Sequence, residues 1–350
     1  MKDIALELAS RGEQVTVFAG EWNDTVFPEN VEVVTLPLRG MSNHARALDF
    51  AKKFHTAAAG ADVKFAFNRF GGCDFYFAAD DCFAAALRRK FAGGFLRFLA
   101  RYRIFADLER QIFSPESSTV IFYISPKQKQ EFQEFYGTPD ERFIYLGPGV
   151  GPGFQVPDSL HRQKCREALA LAPDEKLALF IAANWTLKGG DRVLKAFAAL
   201  PEHMRRIIRL CFAGGDAGGR AQLAAEKYGI ADRCIFAGVR RDVEPYLAAA
   251  DILVHPARKE AAGTVIAEAL ACGVPVIVSG ICGYASLVAD SGAGIVLPEP
   301  FDTEHLISAW RSWHEQVDMF AGKAVNASKT LKLRGRAADA VSVILKSGNF

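Results

Sequence analysis

The chain has 350 residues, 50% of them hydrophobic and 23% charged, with a formal net charge of +2. That length and composition fit two ordinary globular domains and exclude a disordered chain, and the near-neutral charge excludes a global pull toward nucleic acid. No apolar run approaches the roughly 18 to 20 residues needed to span a bilayer, and the opening MKDIALELASRGEQ is no signal peptide. Seven cysteines (Cys73, Cys82, Cys165, Cys211, Cys234, Cys272, Cys282) are scattered, odd in number and without a CxxC pair. This usage predicts free thiols in a reducing compartment and no zinc site, so the expected location is the cytoplasm or the cytosolic face of a membrane.

In chain order, MKDIALELASRGEQVTVFAG reads as a helix, a glycine stop and a strand. This is the second part of a βαβ unit without its first strand, which in a doubly wound sheet is central and carries the ligand-lining turn. A gap in the middle of the first sheet is therefore expected, through a misassigned start or a truncated product. Further apolar runs follow: VTVFAG (15–20), VEVVTLPL (31–38), VKFAFN (63–68), FYFAAD (75–80), VIFYIS (120–125) and RFIYLGPG (142–149). The stretch GPGVGPGFQVPD (147–158) reads as a hinge between halves. Beyond it, LALFIAA (177–183), RLCFAG (209–214), CIFAGV (234–239), DILVHPA (251–257), PVIVS (275–279) and GIVLPE (294–299) alternate with helical patterns. Continuous apolar strands alternating with helices predict a parallel sheet covered on both faces. The expected fold class is α/β, with a Rossmann-like domain over 1–149, a second over 150–325 and a tail, 326–350, helical and packing back on the first domain.

Two segments carry candidate chemistry. In HPARKEAAGTVIAEALACGVPVIVS (255–279), Glu260 falls in a loop after an apolar strand and Glu268 on the helix that follows. Free amides at the helix start, near Ala261, Ala262, Gly263 and Thr264, suit a diphosphate, leaving the carboxylates to accept hydrogen bonds from hydroxyls. The same string also fits an ordinary βαβ unit with a solvated Glu268. The second segment, 83–113, carries Arg88, Arg89, Lys90, Arg97, Arg101, Arg103 and Arg110 among aromatic and aliphatic residues, against Asp107 and Glu109 alone. A basic amphipathic stretch suits an anionic membrane surface, and it also fits a core-packed helix with a charged outer face.

The pattern HPA-x2-EAAG-x4-EAL-x-CGVPV resembles the donor-site signature of retaining glycosyltransferases of the GT4 type, which share the GT-B fold of two Rossmann-like domains facing across a cleft. NHARA (43–47), FNRFGGCDFYFAADDCF (67–83), RYRIFADLERQIF (101–113) and ICGYASLVAD (281–290) are similar to the lipopolysaccharide core glucosyltransferases that act on inner-core heptose.

The resemblance implies that Glu260 lies beside the transferred sugar and that Glu268 holds the nucleotide ribose. It also implies that Lys188, in NWTLKGGD (184–191), pairs with the diphosphate. Asp80, in FAADDC, matches an aspartate that orients the acceptor hydroxyl or takes its proton; an Asp-Asp pair also fits a helix cap. Where the family places an arginine just before the lysine, this chain has Thr186 and Leu187, with Arg258 a candidate substitute. The implied function is retaining, metal-independent transfer of glucose from UDP-glucose to a heptose of lipid-linked core oligosaccharide, with no cofactor, at the cytosolic face of the inner membrane. Another nucleotide sugar or acceptor, or a truncated and silent homologue, is the alternative.

Overall fold

The computed structural model describes residues 1–22, 26–90, 99–215 and 217–347. These form two compact units: Met1–Gly147 with the chain from Gly335 onward, and Pro148–Arg334. In the first, α1 (Lys2–Ser10), β1 (Val15–Ala19), β2 (Val31–Thr35), α2 (Asn43–Ala57), β3 (Phe65–Ala66), β4 (Phe75–Ala78) and α3 (Phe83–Lys90) come in order. They are followed by α4 (Ala100–Phe113), β5 (Val120–Tyr123), α5 (Pro126–Tyr136) and β6 (Phe143–Tyr145). The second unit holds α6 (Ser159–Ala168), β7 (Lys176–Ala182), α7 (Gly190–Ala198), α8 (Glu202–Ile207), β8 (Ile208–Gly214), α9 (Gln222–Lys227), β9 (Cys234–Gly238) and α10 (Glu244–Ala249). It continues with β10 (Ile252–His255), α11 (Thr264–Ala271), β11 (Val276–Ser279), α12 (Ala285–Ser291), β12 (Gly294–Leu297), α13 (Thr303–Glu315) and α14 (Val317–Thr330). The last helix, α15 (Arg336–Ser347), belongs to the first unit.

All strand pairs are parallel. The second unit is one six-stranded sheet, ordered β12-β11-β10-β7-β8-β9. The order reverses between β10 and β7, so the loops after these two strands emerge side by side at their carboxyl ends, where doubly wound sheets hold ligands. Fully buried Trp310 and Trp313 on α13 and Phe197 on α7 cover one face of this sheet.

The first unit is divided. β1 pairs with β2, and β3-β4-β5-β6 form a separate four-stranded sheet. Among the described residues, β1 and β3 each have one unpaired edge, and both edges line a cavity of about 820 Å3 together with Ile4, Phe54 and Ile344. The sheet is therefore open at the place where the opening helix-strand pattern predicts a gap. Phe113 and Phe132 of α4 and α5 pack on one face of the four-stranded sheet, where Tyr76 lies. Ala340, Val341 and Ile344 of α15 join Ile4 of α1 against Phe75 and Phe122 on the other. Strands apolar on both faces need both covers, which is why the chain returns. Residues 326–334 stay with the second unit because α14 runs on to Thr330; the return begins at Gly335, not at 326.

All seven cysteines are free, and burial pushes Cys73, Cys82, Cys211, Cys234 and Cys272 up to about 12, far from thiolate reactivity. Among the described residues no helix is long and apolar enough to cross a membrane.

Candidate active site

The loop after β7 is a tight turn that Asn184 builds: its Oδ1 accepts the Leu187 N–H at 2.9 Å and its carbonyl the Lys188 N–H at 3.0 Å. Gly189 follows with φ +82°, and a Cβ there would stand 2.1 Å from the carbonyl oxygen of Pro256. Only glycine lets this turn lie against the chain leaving β10. That contact brings Lys188 to Glu260, with Nζ 2.6 Å from Oε2, and Lys188 donates also to the Lys259 carbonyl at 3.2 Å.

His255, the last residue of β10 and 1% exposed, places Nε2 3.2 Å from the same Oε2. Burial pushes the Glu260 carboxyl upward, but hydrogen bonds from His255 and Lys188 outweigh it and hold the group below its ordinary value. Glu260 is therefore an ionised, 15%-exposed carboxylate with two donors on one oxygen. Gly263, at φ +89°, ends the loop and caps α11; a Cβ there would meet Ile266 Cδ1 at 2.6 Å and Glu260 Cγ at 3.3 Å. Ala261 is half-buried, and Ala262 is buried with its carbonyl accepting the Tyr284 N–H at 2.8 Å. Thr264 is exposed at the first turn, where the Ile266 N–H donates to the Gly263 carbonyl at 2.9 Å and the positive end of the helix dipole lies.

Glu268 lies one turn further along α11. Burial, and then the nearby Glu244 carboxylate at the start of α10, push it up to about 7. The sequence signature thus separates into two carboxyls of opposite character: Glu260 is held ionised by donors, while Glu268 is poised near neutrality by desolvation.

Arg258 does not replace the missing arginine. Its guanidinium binds both carboxylate oxygens of Asp191 at 2.6 Å and the Thr186 carbonyl at 2.7 Å. Arg192 is also engaged, donating to the Pro256 and Ala257 carbonyls at 3.1 and 3.3 Å and lying 3.8 Å over the Phe301 ring. Both arginines fasten the two loops together, and Lys188 is the cation of this turn that meets the signature glutamate.

In the first unit, Asp80 follows β4 in an exposed loop whose backbone is fixed by Gln128, which donates to the Ala78 and Asp80 carbonyls at 2.8 and 2.7 Å. The loop leads into α3, whose start is capped from another helix. Glu109 on α4, fully buried, accepts the N–H groups of Phe83 and Ala84 at 2.8 and 2.9 Å and the Tyr136 hydroxyl at 2.9 Å. Arg69 Nε is 3.3 Å from the same carboxylate, near enough for an ion pair though not aligned as a hydrogen bond. Removing one member of such a buried cluster leaves the rest uncompensated, so Glu109→Ala is expected to destabilise by about 3–5 kcal/mol. Urea unfolding followed by circular dichroism measures this, and an unchanged midpoint would contradict it.

The basic segment is described in part. Arg88, Arg101 and Arg103 are exposed, whereas Tyr102, Ile104 and Phe105 are half-buried, with Phe83 stacking on Tyr102 and edge-on to Phe105. These aromatic residues join α3 to α4 instead of facing outward, and Glu109 leaves the surface. The side chains of Arg89 and Lys90, and all of Arg97, lie outside the described residues.

His255, Glu109 and Glu244 went unsignalled in the sequence. A lone histidine ending an apolar strand reads as core, and the others act on residues distant in the chain.

The family model described as Glycosyl transferases group 1 matches residues 161–323. Lipopolysaccharide glucosyltransferase WaaG of Escherichia coli (strain K12) is 36% identical over 331 residues, 93% of this chain and 87% of that protein. The crystal structure of WaaG, a glycosyltransferase involved in lipopolysaccharide biosynthesis, aligns with a TM-score of 0.89 at 34% identity, covering 98% of this chain and 94% of that one. HepE of Anabaena in complex with UDP-glucose aligns at a TM-score of 0.67 and 17% identity over 97% and 94% of the two chains, a likeness of fold alone. Lys188 meets Glu260 just before the α11 start, Glu268 stands one turn along the same helix, and the likeness to WaaG runs through nearly the whole chain: this protein belongs to the group 1, GT4-type glycosyltransferases and has their GT-B fold.

Proposed function

We propose that this chain transfers glucose from UDP-glucose to a heptose of lipid-linked lipopolysaccharide inner core, with retention at the anomeric carbon and without a metal ion. The observation that carries it is the Lys188–Glu260–His255 cluster at the α11 start, in a chain 36% identical over 93% of its length to a lipopolysaccharide glucosyltransferase.

In this reading the diphosphate takes the ammonium of Lys188 and the amides from Ala261 to Thr264, and the helix dipole adds to the field on the departing phosphate. Positive charge from the protein does the work that a metal does in other transferases. Glu268, ionised, accepts the ribose hydroxyls, and Glu260 lies beside the sugar. Asp80 orients the acceptor hydroxyl or takes its proton. The exposed Arg88, Arg101 and Arg103 meet lipid phosphates at the cytosolic face of the inner membrane, with attraction that falls as salt rises.

The test is transfer to a heptose-terminated core acceptor with UDP-glucose, UDP-galactose or GDP-mannose, each with and without EDTA. UDP-glucose is expected to be used best, and EDTA to leave the rate unchanged. Turnover with the other two donors alone would overturn the donor assignment, and no turnover with any would favour a silent homologue.

A further inference from the structure

The Glu260 carboxylate serves two masters on one oxygen. Lys188 Nζ and His255 Nε2 reach Oε2 from different elements, the loop after β7 and the end of β10, at 2.6 and 3.2 Å. Lys188 is a flexible, 21%-exposed side chain, and His255 is enclosed, its side chain 2% exposed. The other ring nitrogen of His255, Nδ1, is buried without a hydrogen-bond partner. A proton there would be an orphaned buried donor, so of the two ring nitrogens it is Nε2 whose N–H is aimed at Glu260.

These partners are not equivalent when a diphosphate arrives. A lysine can follow a stronger anion; an enclosed imidazole cannot. If Lys188 leaves, Glu260 becomes a mostly buried carboxylate without its cation, a state that costs heavily unless another donor stays.

We propose that His255 is a positioning residue that keeps the Glu260 carboxylate ionised and in place, and so frees Lys188 to leave Glu260 for the donor diphosphate. This rests on the donor-site reading given above. Lys188 is shared between a carboxylate and a diphosphate, and His255 sets how tightly the carboxylate retains it. Linkage fixes the signs: weakening the claim of Glu260 on Lys188 strengthens diphosphate binding, and removing the second donor from Glu260 strengthens that claim and weakens diphosphate binding.

The experiment is calorimetric titration of UDP into the full chain and into Glu260→Gln, His255→Leu, His255→Gln and Lys188→Ala, with folding checked by circular dichroism. Glu260→Gln is expected to bind UDP several-fold tighter while losing transfer, an opposition that simple damage to the fold does not produce. His255→Leu is expected to bind roughly tenfold more weakly, the worth of one hydrogen bond to a charged group, and His255→Gln, which restores an N–H near the Nε2 position, to recover most of the loss. A Lys188→Ala affinity equal to that of the unmodified chain would sink the donor-site reading itself. Weaker binding by Lys188→Ala with unchanged binding by His255→Leu would overturn the role of His255 alone, as would weaker binding by Glu260→Gln.

Discussion

Lys188→Ala lowers the rate of sugar transfer by roughly 100- to 1,000-fold, the scale on which one preorganised group facing transition-state charge acts. The loss is expected in kcat as well as in KM, because the ammonium meets a diphosphate whose charge grows as the glycosidic bond breaks. The missing neighbouring arginine makes the effect larger, since Arg258 and Arg192 are fastened to Asp191 and to the Pro256 and Ala257 carbonyls. Lys188→Arg is expected to recover little: the guanidinium fork is bulkier, and Nζ already sits 2.6 Å from Glu260 Oε2. Steady-state kinetics with varied donor checks both variants, and a Lys188→Ala rate within threefold of the unmodified chain would contradict the assignment.

Glu268→Gln has two effects of opposite sign. Burial and Glu244 raise the Glu268 carboxyl from 4.5 to about 7 in the folded protein. The folded state then binds more protons than the unfolded state between those values, so this group's contribution to stability falls as pH rises from about 4.5 to about 7, and the full penalty persists above. Replacing it with glutamine is expected to stabilise the free protein at pH 8 by about 1–3 kcal/mol and to change little at pH 4. Thermal melts at both pH values measure the difference. Nucleotide binding moves the other way: a carboxylate accepts ribose hydroxyls more strongly than an amide, and the loss is expected to be roughly tenfold at pH 8. In the unmodified chain UDP affinity should rise as pH passes through 7, since the ionised form is the better acceptor. A desolvated carboxyl kept for a ligand is a common trade of stability against function.

Much of this was legible in the sequence because buried parallel strands are continuous apolar runs. LALFIAA at 177–183 became β7, Lys176–Ala182, RLCFAG at 209–214 became β8, Ile208–Gly214, and each of the other ten runs contains one of the remaining strands. The run at 63–68 left the shortest strand, Phe65–Ala66, at an edge of its sheet. Glu260, Glu268, Gly263 and Lys188 were legible from spacing and resemblance, since a strand-loop-helix unit fixes where they stand. What sequence hid was long-range polar pairing. Arg258 and Asp191 are 67 residues apart, and Glu109 caps an amide 26 residues away, separations at which composition and periodicity carry no signal. The aromatic residues of α4 were undecided for the same reason: amphipathic spacing shows that a helix has two faces, and tertiary contacts decide that Tyr102 and Phe105 turn toward Phe83.

The most direct test of the donor site is the crystal structure of this chain with UDP bound. The diphosphate should lie at the start of α11, with Lys188 Nζ moved from Glu260 to about 2.7–2.9 Å from a phosphate oxygen, His255 still on Glu260, and the ribose on Glu268. UDP bound elsewhere, or at the α11 start with Lys188 still paired to Glu260, would contradict it.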